Sequence, residues 1–218
     1  MAAPGTGTRE ALLATAEGLF AERGVDQVSL NEITRSAGQR NASALQYHFG
    51  NKEGLLRAIL KPHLAVIEHR RGQMLDALEG MAGRTLRDLA RALVVPVAEE
   101  LESASGRAYV AIMAQLMNNR AWSVSRILGT VETPARQRLS RMVDELREPV
   151  SEDVRRAGTL LLLNMMWHGL AAWENAGAAG RGGRPASKVY IETLIDFVTA
   201  LLDGAALSAS ATRLVSRS

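Results

Sequence analysis

The chain contains no cysteine. That excludes disulfides, thiolate metal centres and cysteine nucleophiles, and it suits a reducing compartment. Aromatic residues are scarce, at 4% of the 218 residues, while Ala and Leu abound, a composition that favours helix. No strand pattern and no internal repeat stands out. No apolar run reaches the roughly 20 residues that a membrane-crossing helix needs. The most apolar segment, residues 159–173, is interrupted by Asn164 and His168. The opening MAAPGTGTRE lacks the charged-then-apolar layout of a signal peptide. A soluble cytoplasmic protein with no membrane partner is therefore expected.

An excess of one charge is missing as well. The net charge is only +3. Over residues 1–60, six Arg and Lys balance six Asp and Glu. A nucleic-acid partner would have to be met by geometry and locally placed cations rather than by bulk charge. Histidines at metal-chelating spacing are lacking too: His63 and His69 are six residues apart and His168 stands alone, so no metal site is expected. GxGxxG, GxSxG and HExxH are absent, so neither an enzyme nor a bound cofactor is expected.

What the chain does have is a core, with 47% hydrophobic residues, and one informative stretch. Residues 30–56 read LNEITRSAGQRNASALQYHFGNKEGLL. The pattern predicts two short helices joined by a tight turn, with a further helix starting at Lys52. A preceding helix is predicted over residues 8–23, with Leu12, Ala16, Leu19 and Phe20 on one apolar stripe. Gly24 suits a left-handed cap. Ser29 and Glu32 have the spacing of a capping box. Asn41 and Asn51 suit the N-caps of the two helices that follow. Leu45 and Phe49 would pin the helix after the turn to its neighbours, leaving Ser43, Gln46 and Tyr47 on other faces. Such a unit fits a helix into the major groove of DNA.

The rest reads as helix after helix, predicted at about 63–80, 84–104, 107–119, 131–148, 151–175 and 187–203. Pro62 predicts a kink or restart, and Pro96 a bend. Residues 177–185, GAAGRGGRP, read as a flexible loop, and residues 205–218 as a disordered tail. The expected fold is all-α: an N-terminal three-helix helix-turn-helix domain over residues 1–60, and a helical ligand-binding and dimerisation domain over 61–204.

The features Leu19-Phe20, Gly24, Ser29, Ile33, Ala37-Gly38, Leu45-Gln46-Tyr47-His48-Phe49 and Asn51-Lys52-Glu53-Gly54-Leu55 occur in order within residues 9–60. There the chain resembles the TetR family of bacterial transcriptional regulators. Beyond residue 60 the resemblance is architectural only. One departure stands in the turn, where residues 39–43 hold one residue more than the family pattern, and Gln46 replaces the first aromatic of a usual pair. Base contacts therefore do not transfer position by position. The resemblance implies a homodimer that grips a palindrome-like operator of double-stranded DNA, and a C-terminal pocket for a small-molecule effector.

Chemistry assigns roles within that frame. The candidate DNA-contacting residues are Ser29, Arg40, Asn41, Ser43, Gln46, Tyr47, His48 and Lys52. Ser43, Tyr47 and Lys52 would hold phosphates, and Arg40 and Gln46 would reach base edges. Tyr47 has a plainer alternative, packing against the first helix. Candidate effector contacts are Met113, Leu116, Met117, Trp122, Asn164, Trp167 and His168, because adaptable Met side chains suit a pocket for apolar ligands. Ordinary core is the plainer alternative for each Met. The helices at 151–175 and 187–203 carry more apolar surface than one face can bury, which predicts the dimer interface there. The function expected is a repressor released from its operator by a small, largely apolar ligand. Two other readings stay open at this point: a helical metabolite-binding protein or enzyme without DNA activity, and a DNA-binding protein without a ligand.

Overall fold

The computed structural model describes residues 6–39, 43–178 and 185–203. Among the described residues every regular element is helical, so the all-α expectation holds. The helices are α1 (Thr6–Arg23), α2 (Leu30–Ser36), α3 (Ala44–Phe49), α4 (Lys52–Glu79), α5 (Leu86–Glu99), α6 (Ala104–Met117), α7 (Val124–Leu128), α8 (Pro134–Leu146), α9 (Glu152–Ala178) and α10 (Ser187–Asp203). A 3-10 turn, Glu100–Glu102, stands between α5 and α6. The chain forms two compact units, one of residues 1–65 and 100–132, the other of 66–99 and 133–218. Residues 100–132, expected in the C-terminal body, thus belong to the same compact unit as the head. The arginine-bearing part of the 177–185 loop and the tail from 205 lie outside the described residues.

In the first unit, Leu12, Ala16 and Phe20 of α1 are fully buried, each large side chain contributing about 1.5–3 kcal/mol by leaving water. Helix α1 packs against α6, α2 and α3. Gly24 closes α1 at φ +93°, and its N–H donates to the Phe20 carbonyl at 3.0 Å. Gln115 of α6 completes that cap. Its amide donates to the Phe20 and Ala21 carbonyls at 3.0 and 3.3 Å, and its Oε1 accepts the Val25 N–H at 3.1 Å. Asn51 caps α4 as expected, accepting the Gly54 N–H at 2.9 Å. Gly54 is itself required: a Cβ there would stand 2.0 Å from the Phe49 carbonyl oxygen. This close approach sets α4 against the end of α3.

The second unit is built on α5, α8, α9, α10 and the later part of α4. Pro62 neither breaks nor restarts α4, which runs continuously from Lys52 to Glu79. Pro96 likewise sits inside α5. Its missing N–H leaves the carbonyl four residues back, that of Ala92, without a helical donor. Buried Arg71 supplies the donor instead, reaching the Ala92 and Leu93 carbonyls at 3.3 and 3.4 Å. Arg71 also pairs with Glu68, whose other carboxylate oxygen accepts the Ala135 and Arg136 N–H groups at 3.0 and 3.2 Å. A carboxylate at the start of α8 is well placed against the positive end of that helix. The predicted helix at 84–104 is in fact α5 plus the 3-10 turn, and short α7 was not predicted.

Candidate functional site

The α2–α3 edge carries the exposed polar groups. Leu45 is buried at 1% exposure, while Tyr47, two residues on, is 86% exposed. That geometry follows from helical spacing, because residues i and i+2 face different ways. Gln46 and Ser43 are exposed beside it. Tyr47 therefore does not pack against α1. Its ring meets the half-buried His48 edge-on at 5.1 Å, and His48 meets Phe49 at 6.1 Å. Ser43 occupies the N-cap position of α3 without a side-chain cap bond. Ser29 caps α2, its hydroxyl oxygen accepting the Glu32 N–H at 3.2 Å. The capping box is only half formed, because the Glu32 carboxylate pairs with Arg23 instead. That guanidinium holds the Glu32 carboxyl below its usual range. Arg40 and Asn41, with the longer turn, lie outside the described residues.

Lys52 is placed differently from the expectation. Its ammonium donates to the Val28 carbonyl at 2.7 Å and lies 5.6 and 5.5 Å from the Phe20 and Trp122 ring centroids. Burial lowers its pKa. Three attractive inward contacts outweigh reaching outward, so Lys52 is an internal strut of the head in this structure. No local pattern signals this placement, because Trp122 is 70 positions away along the chain. Arg126 covers Trp122 at 5.4 Å and pairs with Glu53 at 2.9 Å. With Arg57 it holds the Glu53 carboxyl below its usual range. A cation not anticipated is Arg9, exposed, with its guanidinium 5.3 Å from the Phe49 ring at the end of α3.

A second polar cluster in the same unit went unnoticed in the sequence. His63 of α4 lies between two carboxylates, Nδ1 2.5 Å from Glu100 and Nε2 3.3 Å from Glu17. Its ring stacks on Tyr109 at 4.7 Å. Ser105 donates to Glu17 at 2.8 Å and lies 3.2 Å from His63 Nε2. Burial opposes the imidazolium, but the two carboxylates together outweigh it and raise the His63 pKa.

The expected effector contacts are divided between the two compact units. Met113, Leu116, Met117 and Trp122 lie in the first unit, and Asn164, Trp167 and His168 in the second. Met113 and Leu116 are buried on α6, which packs on α1. Trp122 is engaged by Lys52 and Arg126. Asn164 turns to its own helix, donating to the Leu160 carbonyl at 2.9 Å, Trp167 is buried, and His168 is exposed. None of the seven lines the cavity of the second unit formed by α5, α8, α9 and α10. Helical periodicity identified the inward faces but could not distinguish core from pocket.

The second unit instead holds a cavity of about 310 Å³ between α5, α8, α9 and α10. Its apolar wall is Leu93, Leu139, Val143, Leu162, Leu163 and Leu202, and its polar wall includes Arg136, Arg147, Arg155 and Asp144. On the outside of the same unit, Leu160 and Leu161 of α9 and Val189 and Phe197 of α10 are exposed at 61%, 53%, 61% and 60%. Gly169 serves α9–α10 contact within the chain: Tyr190 donates to its carbonyl at 2.8 Å. Among the described residues, no group of three His, Asp or Glu could hold a metal, and no helix is long and apolar enough to cross a membrane.

Residues 12–59 match the family of bacterial regulatory proteins named for tetR, and residues 91–200 match the tetracyclin repressor-like C-terminal domain. Among solved structures, the chain is similar to a probable transcriptional regulatory protein, RHA5900, at 23% identity and TM-score 0.51, covering 90% of this chain and 98% of that one. It is also similar to the fatty acid degradation regulator FadR of Bacillus halodurans, at 18% identity and TM-score 0.53, covering 94% and 97%. These two likenesses concern the fold. No curated protein matches the chain.

Proposed function

The chain belongs to the tetR family of bacterial regulatory proteins, a DNA-binding regulator of transcription, and from that premise we propose how its parts divide the work. Residues 1–60 form the DNA-binding domain, and the α2–α3 edge enters the major groove. Ser43 and Tyr47 hold phosphates, and Gln46 reads a base edge. Arg9 replaces Lys52 as the cation beside α3. The observation that carries this reading is Tyr47, a large side chain with a polar tip, 86% exposed next to a buried Leu45. A hydroxyl at the end of an exposed ring suits an interface that is wet and anionic.

The body pairs two copies through the exposed apolar faces of α9 and α10, so that two heads meet half-sites about 34–36 Å apart. Four large apolar side chains in water support it, since such patches mark contact surfaces. The effector enters the cavity of the second unit and favours a state of the dimer whose heads no longer match that spacing. Helix α4, unbroken from Lys52 to Glu79, is the covalent path along which that preference passes.

Selection of bound duplexes from random DNA tests the reading. The expected result is an inverted repeat, bound less tightly as salt rises. With Gln46→Ala the preference relaxes at one position of each half-site, whereas Arg9→Ala weakens all sequences alike. Recovery of no preferred sequence, or uniform weakening by both changes, overturns this division of roles.

A further inference from the structure

The cavity of the second unit has a chemical signature of its own. Three guanidiniums line it against one carboxylate. Asp144 is shared by two of them, with Arg147 at 2.5 Å and Arg155 at 3.2 Å. Arg155 also stands 3.7 Å from Glu152, and Arg136 donates to Thr133 Oγ1 at 3.2 Å. Arg147 is only 12% exposed. The polar wall is thus cationic, while the opposite wall is branched aliphatic. A planar guanidinium fork matches a carboxylate with two parallel hydrogen bonds. In a site partly withdrawn from water those bonds are stronger than at the surface. The volume, about 310 Å³, holds on the order of ten non-hydrogen atoms at about 30 Å³ each.

We propose that this cavity binds an amphipathic carboxylate of medium chain length, its chain against the leucines and its head on Arg155 and Arg147, where Asp144 now stands in for the ligand's own carboxylate. The proposal rests on the reading of this cavity as the effector chamber and adds the class of ligand. It also predicts selectivity by sign. A cavity of about 280 Å³ in the first unit is lined by Glu10, Glu17 and His63, so the two chambers present opposite charge to a ligand.

Titration calorimetry on the purified full chain, without DNA, tests it with decanoate, decan-1-ol and decylamine. Decanoate is expected to bind, decan-1-ol roughly tenfold or more weakly, and decylamine more weakly still. Arg155→Gln, an exposed change, should weaken decanoate about tenfold and leave decan-1-ol unchanged. Asp144→Asn, which removes the competing carboxylate, should tighten decanoate. Equal binding of acid and alcohol, or no decanoate binding by chain shown folded by circular dichroism, overturns the proposal. The selected duplex separates the two readings. Decanoate that binds through Arg155 yet leaves the duplex bound refutes the effector role and keeps the site. Release by a neutral ligand, with no decanoate binding, does the reverse.

Discussion

Two of the regions that expose large side chains to water do so in different chemical terms. Helix α3 exposes Tyr47 beside Gln46 and Ser43, groups that end in a hydrogen-bonding atom. Helices α9 and α10 expose Leu160, Leu161, Val189 and Phe197, which offer none. The first surface can trade water for phosphate and base edges without leaving a polar group unpaired. The second gains only by excluding water, so its fitting partner is another apolar face. Both are proposed contact surfaces, and the atom at the tip distinguishes the kind of contact each could make.

The contrast is broken most severely at α10. Phe197→Glu would bury a carboxylate without a partner in the proposed dimer, at about 3–5 kcal/mol per site. Sedimentation should find monomer, and operator affinity should fall about a thousandfold. Unchanged dimer would remove the second surface from consideration. Next in size is Arg71→Met. It removes the guanidinium partner of Glu68, whose other oxygen keeps the Ala135 and Arg136 N–H groups, and the donor of the Ala92 carbonyl, and urea unfolding should report a loss of about 3 kcal/mol. A smaller loss would mean that water reaches both acceptors.

Tyr47→Ala sharpens the comparison from the other side. DNA affinity should drop about tenfold, with sedimentation and thermal stability unaltered, because so exposed a ring contributes little to the core. A fall in melting temperature would assign Tyr47 to packing instead.

The smallest effect is the pH dependence of His63. Its pKa is raised in the folded chain. Its contribution is therefore complete below the ordinary histidine value and is lost as pH rises through the raised folded value. Thermal melts of wild type and His63→Gln should differ most on the acid side and converge in mild alkali. Parallel curves across that range would show that the imidazole has the same pKa in the folded and unfolded chain.

Much of the head was legible in the chain. Leu12, Ala16 and Phe20 on one stripe, Gly24 as a stop, Ser29 and Asn51 as caps and the exposed position of Tyr47 all follow from helical period and local hydrogen bonding. The legible part ended where a residue's partner is distant in sequence. Lys52 reads as an exposed cation at a helix start, yet Val28 and Trp122 draw it inward. Pro62 reads as a kink or restart and Pro96 as a bend; both helices run through them unbroken, and at Pro96 Arg71 reaches across to the freed carbonyl. Met113 and Leu116 were rightly inward-facing, but what they face was not in the pattern.

Sequence by itself determined helix type, helix caps and which polar side chains α3 exposes, since these depend on neighbours within about four positions, where covalent geometry does the selecting. Tertiary structure alone decided which charges are internal, where a cavity opens and which glycines carry contacts, as Gly54 and Gly169 do. Such choices arise from groups tens of residues apart competing for the same low-dielectric space, and no local period encodes the winner.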